Sequence, residues 1–165
     1  MDSILTKDED ITADHIKQMQ YLEAVIKETL RLYPPAGGFE RKVNEDTKVG
    51  DYTIPKGTCV QVFVYGLHMD SNVFPDPFEF RPERFLKDSQ ESRRNAFSFL
   101  PFSAGARNCI GQRFAMNEMK VVLAKVLLNF RIKSLEKRSD VKTINALICK
   151  PENGIKVEIS PKSVE

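Results

Sequence analysis

The sequence has no long apolar run, no excess of one charge and few of the residues that bind metals in clusters. No stretch of its 165 residues reaches the length of a bilayer span, and no secretory leader follows Met1. Its 25 basic and 23 acidic residues leave a net charge of +2. So even a balance gives no case for a nucleic-acid or polyanion partner. The local pair Arg93-Arg94, near Lys87, reads as part of a solvated loop. Cys59, Cys109 and Cys149 lie far apart, which argues against a disulfide scaffold and against a paired zinc or redox site. His15 and His68 have no partner spacing for a metal or a catalytic triad; the first reads as a surface helix residue, the second as a turn residue. No glycine-rich phosphate loop is present, so a nicotinamide or flavin would have to sit on another protein. Repeats and low-complexity tracts are absent as well.

What is present is ordered by hydrophobic period and by turns. Residues 1–11 are acidic and polar and read as a frayed start. Ile16, Met19, Leu22, Val25, Ile26 and Leu30 keep helical spacing and predict a helix over 13–33, with Thr12 as N-cap and Pro34-Pro35 as its end. Thr47–Val49 and Tyr52–Ile54 flank Gly50-Asp51, a two-residue hairpin turn. The longest strand is expected over 58–65, with one helical turn over 67–71. Cys59 and Cys149 fall in strand-like runs and read as small buried residues. Residues 74–85 form a proline-punctuated, aromatic meander, and 87–95 the most mobile loop. A second long helix is expected over 109–130, burying Phe114, Ala115, Met119, Val122, Leu123, Val126 and Phe130. Residues 146–150 and 155–159 flank Pro151–Gly154 and predict a hairpin. The fold class is therefore mainly α with small antiparallel β-sheets, an α+β arrangement.

The stretch richest in chemistry is Phe102-Ser103-Ala104-Gly105-Ala106-Arg107-Asn108-Cys109-Ile110-Gly111. It sets one cysteine at the mouth of the second helix, where free N–H groups and the helix dipole favour a thiolate. Gly105 permits a backbone turn barred to other residues, and Gly111 has no side chain to obstruct a flat ligand. Arg107 offers a permanent fork of donors for carboxylates. A buried cysteine that merely caps a helix would explain the position equally well. The combination also describes a sulfur ligand for a large, carboxylate-bearing metal cofactor.

These residues resemble the heme-binding signature of the cytochrome P450 superfamily, in which a cysteine thiolate is the axial iron ligand. Two further family motifs stand in the right order. Glu28-Thr29-Leu30-Arg31 matches the Glu-x-x-Arg motif of the family's K helix, and Pro82-Glu83-Arg84-Phe85 matches the motif that completes its Glu-Arg-Arg triad. The wording over 27–35 and 100–120 most resembles family 4 and its relatives, whose members include fatty-acid hydroxylases. The resemblance runs from about Thr12 to Ile159 and covers the C-terminal portion of the family's single domain. It implies that residues 1–165 are a fragment of that domain, an incomplete reading of a gene, or a truncated relative. Family members are longer and add a membrane anchor, a helix with a propionate-binding Trp/Arg pair, and an oxygen-activating helix.

The resemblance implies roles for residues of this chain. Cys109 would bind heme iron, Phe102 would shield the sulfur, and Gly111 would leave space at the ring. Arg107 and Arg41 would meet the heme propionates, although Arg41 also reads as a surface arginine paired with Glu40. Glu28, Arg31 and Arg84 would form a buried structural triad with no bond-making role; the plain alternative is an exposed pair. Residues 35–39 and 146–148 would line the substrate side, and His68 would lie at a turn or at the heme edge. The implied activity is monooxygenation of an apolar substrate, a fatty acid or related lipid, by a heme b iron. Oxygen is the co-substrate, and electrons come from NADPH through a separate reductase. The family's expected location is the endoplasmic reticulum membrane, held by an anchor this chain does not contain. The rival reading is a non-catalytic fragment with at most weak heme binding.

Overall fold

A computed structural model of the chain describes residues 5, 9–145 and 148–162. The helix expected over 13–33 divides in two. Helix α1 (Ala13–Gln18) is opened by Thr12, whose hydroxyl accepts the His15 N–H at 3.3 Å while His15 Nδ1 accepts the Thr12 N–H at 3.3 Å. This reciprocal cap satisfies two otherwise unpaired donors. Met19 then leaves helical geometry, with ψ 55°, and α2 (Gln20–Leu32) begins beyond it. The break lets Met19 point into the core, where it is almost wholly buried. α2 ends at Tyr33, before Pro34, as the proline pair requires.

Among the described residues, every sheet is a two-stranded antiparallel ribbon. β1 (Phe39–Lys42) pairs with β4 (Cys59–Val62), with Phe39 opposite Val62. β2 (Thr47–Val49) and β3 (Tyr52–Ile54) form the predicted hairpin, with Val49 opposite Tyr52 and Gly50 at φ 58°. The strand expected over 58–65 stops early. Val64 to His68 is helical (α3, Val64–His68), and Val64 and His68, four residues apart, both turn inward on one face. Their burial overrides the local β preference of the apolar run.

The hairpin expected across Pro151–Gly154 does not form. β7 (Cys149–Pro151) turns back on β6 (Thr143–Asn145), while β8 (Val157–Pro161) pairs with β5 (Phe130–Ser134), the strand that leaves the last helix. Turn residues mark where a chain bends, not which strands it joins. Residues 146 and 147 of the expected strand lie outside the described residues. Cys59 is exposed and Cys149 half-buried, because narrow two-stranded ribbons leave strand faces open. Both expectations of burial are thereby corrected.

The core joins α2 to α4 (Gln112–Asn129) through Met19, Leu22, Ile26, Leu30, Ala124 and Leu128, with Leu5 and Ile11 laid against them. The described part of the opening segment is therefore docked, not frayed. The inner face of α4 overlaps the expected one only in part. Met119 and Leu123 pack on the core as expected, with Met116 and Leu127 beside them, while Phe114 is 72%, Val122 54% and Phe130 38% exposed. Apolar side chains ring this helix, so their spacing singles out no inner face. The polar Lys120 decides the matter: it is buried, and its ammonium reaches Glu23 of α2 and the Ile16 carbonyl at 3.3 Å. Residues 87–95 also depart from expectation, holding a 3-10 turn (Gln90–Arg93) instead of a free loop.

Candidate functional site

The loop that carries Cys109 is pinned by its own backbone. The Ser103 N–H donates to the Leu100 carbonyl at 3.1 Å, and the Cys109 N–H donates to the Phe102 carbonyl at 2.9 Å. Between them Ser103 and Gly105 take positive φ, 61° and 77°, and Gly105–Arg107 forms a 3-10 turn. Gly105 makes that conformation easy; Ser103 adopts it without glycine's freedom and is held there by a side-chain bond. Gly111 caps the 18-residue α4 with no side-chain acceptor, and the first N–H of the helix, that of Gln112, donates to the Cys109 carbonyl at 3.2 Å, which sets the cysteine at the helix mouth. The thiol of Cys109 is exposed. A Cβ on Gly111 would meet only Cys109 Sγ, at 3.8 Å, so the glycine keeps the surface beside the sulfur open.

Arg41 reaches this loop from β1. Its Nη2 donates to Ser103 Oγ at 2.9 Å and to the Arg107 carbonyl at 3.2 Å, while its Nη1 donates to the Glu40 carbonyl at 2.8 Å. The guanidinium also lies 4.6 Å from the Phe39 ring centroid. Its contact with Glu40 is therefore to backbone, not the carboxylate pairing of a surface arginine. Arg41, Arg107, Lys42, Asn44 and Glu40 line one cavity of about 590 Å³. Three cations against one carboxylate make it an anion-attracting recess. Phe102 is half-buried and packs against the core cluster behind the loop.

Behind the loop stands a buried ion cluster. Arg31 Nε and Nη2 grip Glu28 in a fork, at 2.8 and 2.9 Å, one helical turn along α2. Arg84, from the 3-10 turn Pro82–Phe85, donates through Nε to the same carboxylate at 3.2 Å. All three side chains are fully buried. The Arg81 N–H adds a further donor to Glu28, at 2.9 Å. Arg84 also bonds the Pro75 carbonyl at 3.1 Å and pairs with Glu91. Among the described residues no buried side-chain nitrogen or oxygen lacks a partner.

Three participants have no signal in the sequence. Glu91 joins Arg81 and Arg84, and Arg94 lies between the Phe74 and Phe85 rings, at 4.9 and 4.3 Å. His68 is wholly buried, not set at an open turn. Its partners lie far off in the chain, 37 positions away at Arg31 and 32 at Leu100, beyond any local pattern. Burial pushes its pKa down to about 4, with the Arg31 and Arg94 charges acting in the same direction against a raising contact to the Arg31 backbone.

The cytochrome P450 family matches residues 1–159. The chain belongs to the cytochrome P450 family. It is 44% identical to cytochrome P450 4V2 of Mus musculus over 149 residues, covering 90% of this chain and 28% of that one. To the human cytochrome P450 4V2 it is 42% identical over 166 residues, covering 100% of this chain and 31% of that protein. The probable cytochrome P450 4s3 of Drosophila melanogaster is 48% identical over 146 residues, 88% of this chain and 29% of that one. The chain thus spans between 28% and 31% of the length of these P450 relatives.

Proposed function

We propose that this chain supplies the sulfur-bearing part of one cytochrome P450 domain, with Cys109 as the axial ligand of a heme iron. The observation that carries this reading is an exposed cysteine at the N-terminal end of α4, on a loop pinned by its own backbone and by Arg41 of β1. The residues around it suit the group. Ile110 and Phe114, beside and one turn beyond the cysteine, are exposed apolar side chains of the kind a flat macrocycle would cover. The recess of Arg41 and Arg107 suits carboxylates, which guanidinium forks bind in pairs of charge-assisted bonds. Gly111 leaves the sulfur's flank clear, and Phe102 screens it from behind.

When bound, a heme with a thiolate ligand supplies electron push that favours O–O cleavage, the chemistry of a monooxygenase. The part of this chain is to hold and orient the sulfur, neutralise the carboxylates and exclude water from the ligand side. Glu28, Arg31 and Arg84 fix the meander and the helix that frame the loop and take no part in bond making. The whole protein then inserts one atom of O2 into an apolar substrate and reduces the other to water. Likeness to family 4 and the uncharged stretch 35–39 support a fatty acid or related lipid. Electrons would come from NADPH through a separate reductase, and the working location would be the endoplasmic reticulum membrane. No helix among the described residues is long and apolar enough to cross a membrane.

The test is a reduced, carbon-monoxide difference spectrum of Cys109→Ser beside the parent, in the longest natural polypeptide that carries this segment. A hydroxyl is neither a thiolate nor comparably polarizable, so the red-shifted thiolate band should vanish. A retained band would move the ligand to another cysteine and overturn the assignment.

A further inference from the structure

His68 closes the last turn of α3 and uses both ring nitrogens. Nε2 accepts the Leu100 N–H at 2.9 Å, and Nδ1 stands 3.2 Å from the Arg31 carbonyl oxygen. An amide N–H only donates and a carbonyl only accepts, so these partners admit one form, neutral with its proton on Nδ1. Arg31 returns the contact, its Nη1 donating to the His68 carbonyl at 2.9 Å. The ring is held in its plane by Phe99, centroids 5.1 Å apart, and by the edge of Phe74 at 6.4 Å. Leu100 is where the cysteine-bearing loop starts, since its carbonyl takes the Ser103 N–H.

We propose that His68 is a positioning residue for that loop: a neutral, two-sided bridge that fixes the register of Leu100, and through it Cys109, against the Glu28–Arg31–Arg84 cluster. A proton on Nε2 would set donor against donor at Leu100 and break the bridge. The charged groups facing the ring favour the neutral form as well. They are Arg31 from α2 and Arg94, which follows the 3-10 turn Gln90–Arg93, while Glu28 is engaged by Arg31 and Arg84. The consequence for the iron ligand rests on the reading of Cys109 given above; the bridge itself does not.

The experiment compares parent, His68→Phe and His68→Gln in the heme-loaded protein, by amide hydrogen exchange and by the reduced carbon-monoxide spectrum. Phe keeps a ring and removes both bonds; Gln keeps one donor and one acceptor. In His68→Phe, protection of the Leu100, Ser103 and Cys109 amides should fall at least about tenfold beyond any change in the middle of α4, and part of the thiolate band should be lost. Gln should recover most of both. Unchanged loop protection in His68→Phe, a loss shared equally by α4, or Gln no better than Phe would each overturn the proposal. Nitrogen resonances of the parent imidazole decide it even if no variant folds. A proton on Nδ1 supports the bridge, and one on Nε2 at neutral pH overturns it. Cys109→Ser separates the two readings, because it changes the spectrum and leaves the bond from Leu100 to His68 in place.

Discussion

Arg31 places all its N–H groups inside the protein: on both oxygens of Glu28, on the His68 and Glu79 carbonyls, and toward the Met69 sulfur. Truncating it leaves the buried Glu28 carboxylate with one guanidinium, Arg84, and the Arg81 N–H, and takes a donor from each of two carbonyls. Arg31→Ala should therefore cost about 3–5 kcal/mol, a large share of the ~5–15 kcal/mol that holds a typical domain together. Arg84→Ala should act alike, and both should show as lost soluble, heme-loaded protein in a loading assay. Normal loading with an unchanged melting temperature would mean that the cluster is an ornament. His68 adds a pH dependence whose sign follows from its depressed pKa. The unfolded chain takes up a proton at its ordinary value near 6.5, the folded one only near 4, so stability is lost as pH falls through that window. The loss should approach about 3 kcal/mol by pH ~4, read as a falling denaturant midpoint, and it should shrink in His68→Gln.

At the scale of elements, α4 is held to α2 by oil and by one buried ammonium. Lys120 meets Glu23 and the Ile16 carbonyl, while Glu23 also pairs with Lys27. Burial pushes the Glu23 carboxyl up, and hydrogen bonds to Lys120 and Lys27 outweigh it, so its pKa lies below the ordinary value. The two partners are not equivalent. Lys120→Met leaves a part-exposed Glu23 that still has Lys27 and water, and should cost at most about 1 kcal/mol. Glu23→Ala strands the ammonium in the core and should cost about 3 kcal/mol. Equal losses in the two melts would show that the lysine reaches water after all. Lys120 also explains why the inner face of α4 is only partly legible in its sequence, since a lysine on an inner face runs against any apolar count. The Thr12 cap and the Gly50-Asp51 turn were legible because both are complete within a few residues. The Glu28–Arg31 pair was legible because a helix brings i and i+3 together. The pairing of β7 and β8, the helical start at Val64 and the place of His68 were not. β7 takes the nearby β6 in place of β8, Val64 begins a helix because its face is buried, and β8 and His68 are fixed by partners more than twenty residues away.

At the scale of the whole molecule, the faces left uncovered matter as much as the core. Ile110 is fully exposed, and Phe114, Val122, Phe63, Phe97 and Ile148 stand out in solvent with it. Soluble single domains rarely leave so many large apolar side chains open, and groups of them promote association. The P450 relatives are more than three times as long as the part matched here, so they have chain to lay over these faces. Residues 1–165 expressed by themselves should therefore associate, and should hold heme poorly because a thiol on one side leaves the other side of the ring open to water. Without cover on that side, added reductase should yield no oxidised product. Gel filtration with detection at the heme absorbance, followed by a turnover assay, measures all three properties. The full natural polypeptide should elute as a single loaded species under the same conditions. A monodisperse, heme-retaining and active 165-residue protein would instead make these helices and ribbons a self-sufficient minimal enzyme.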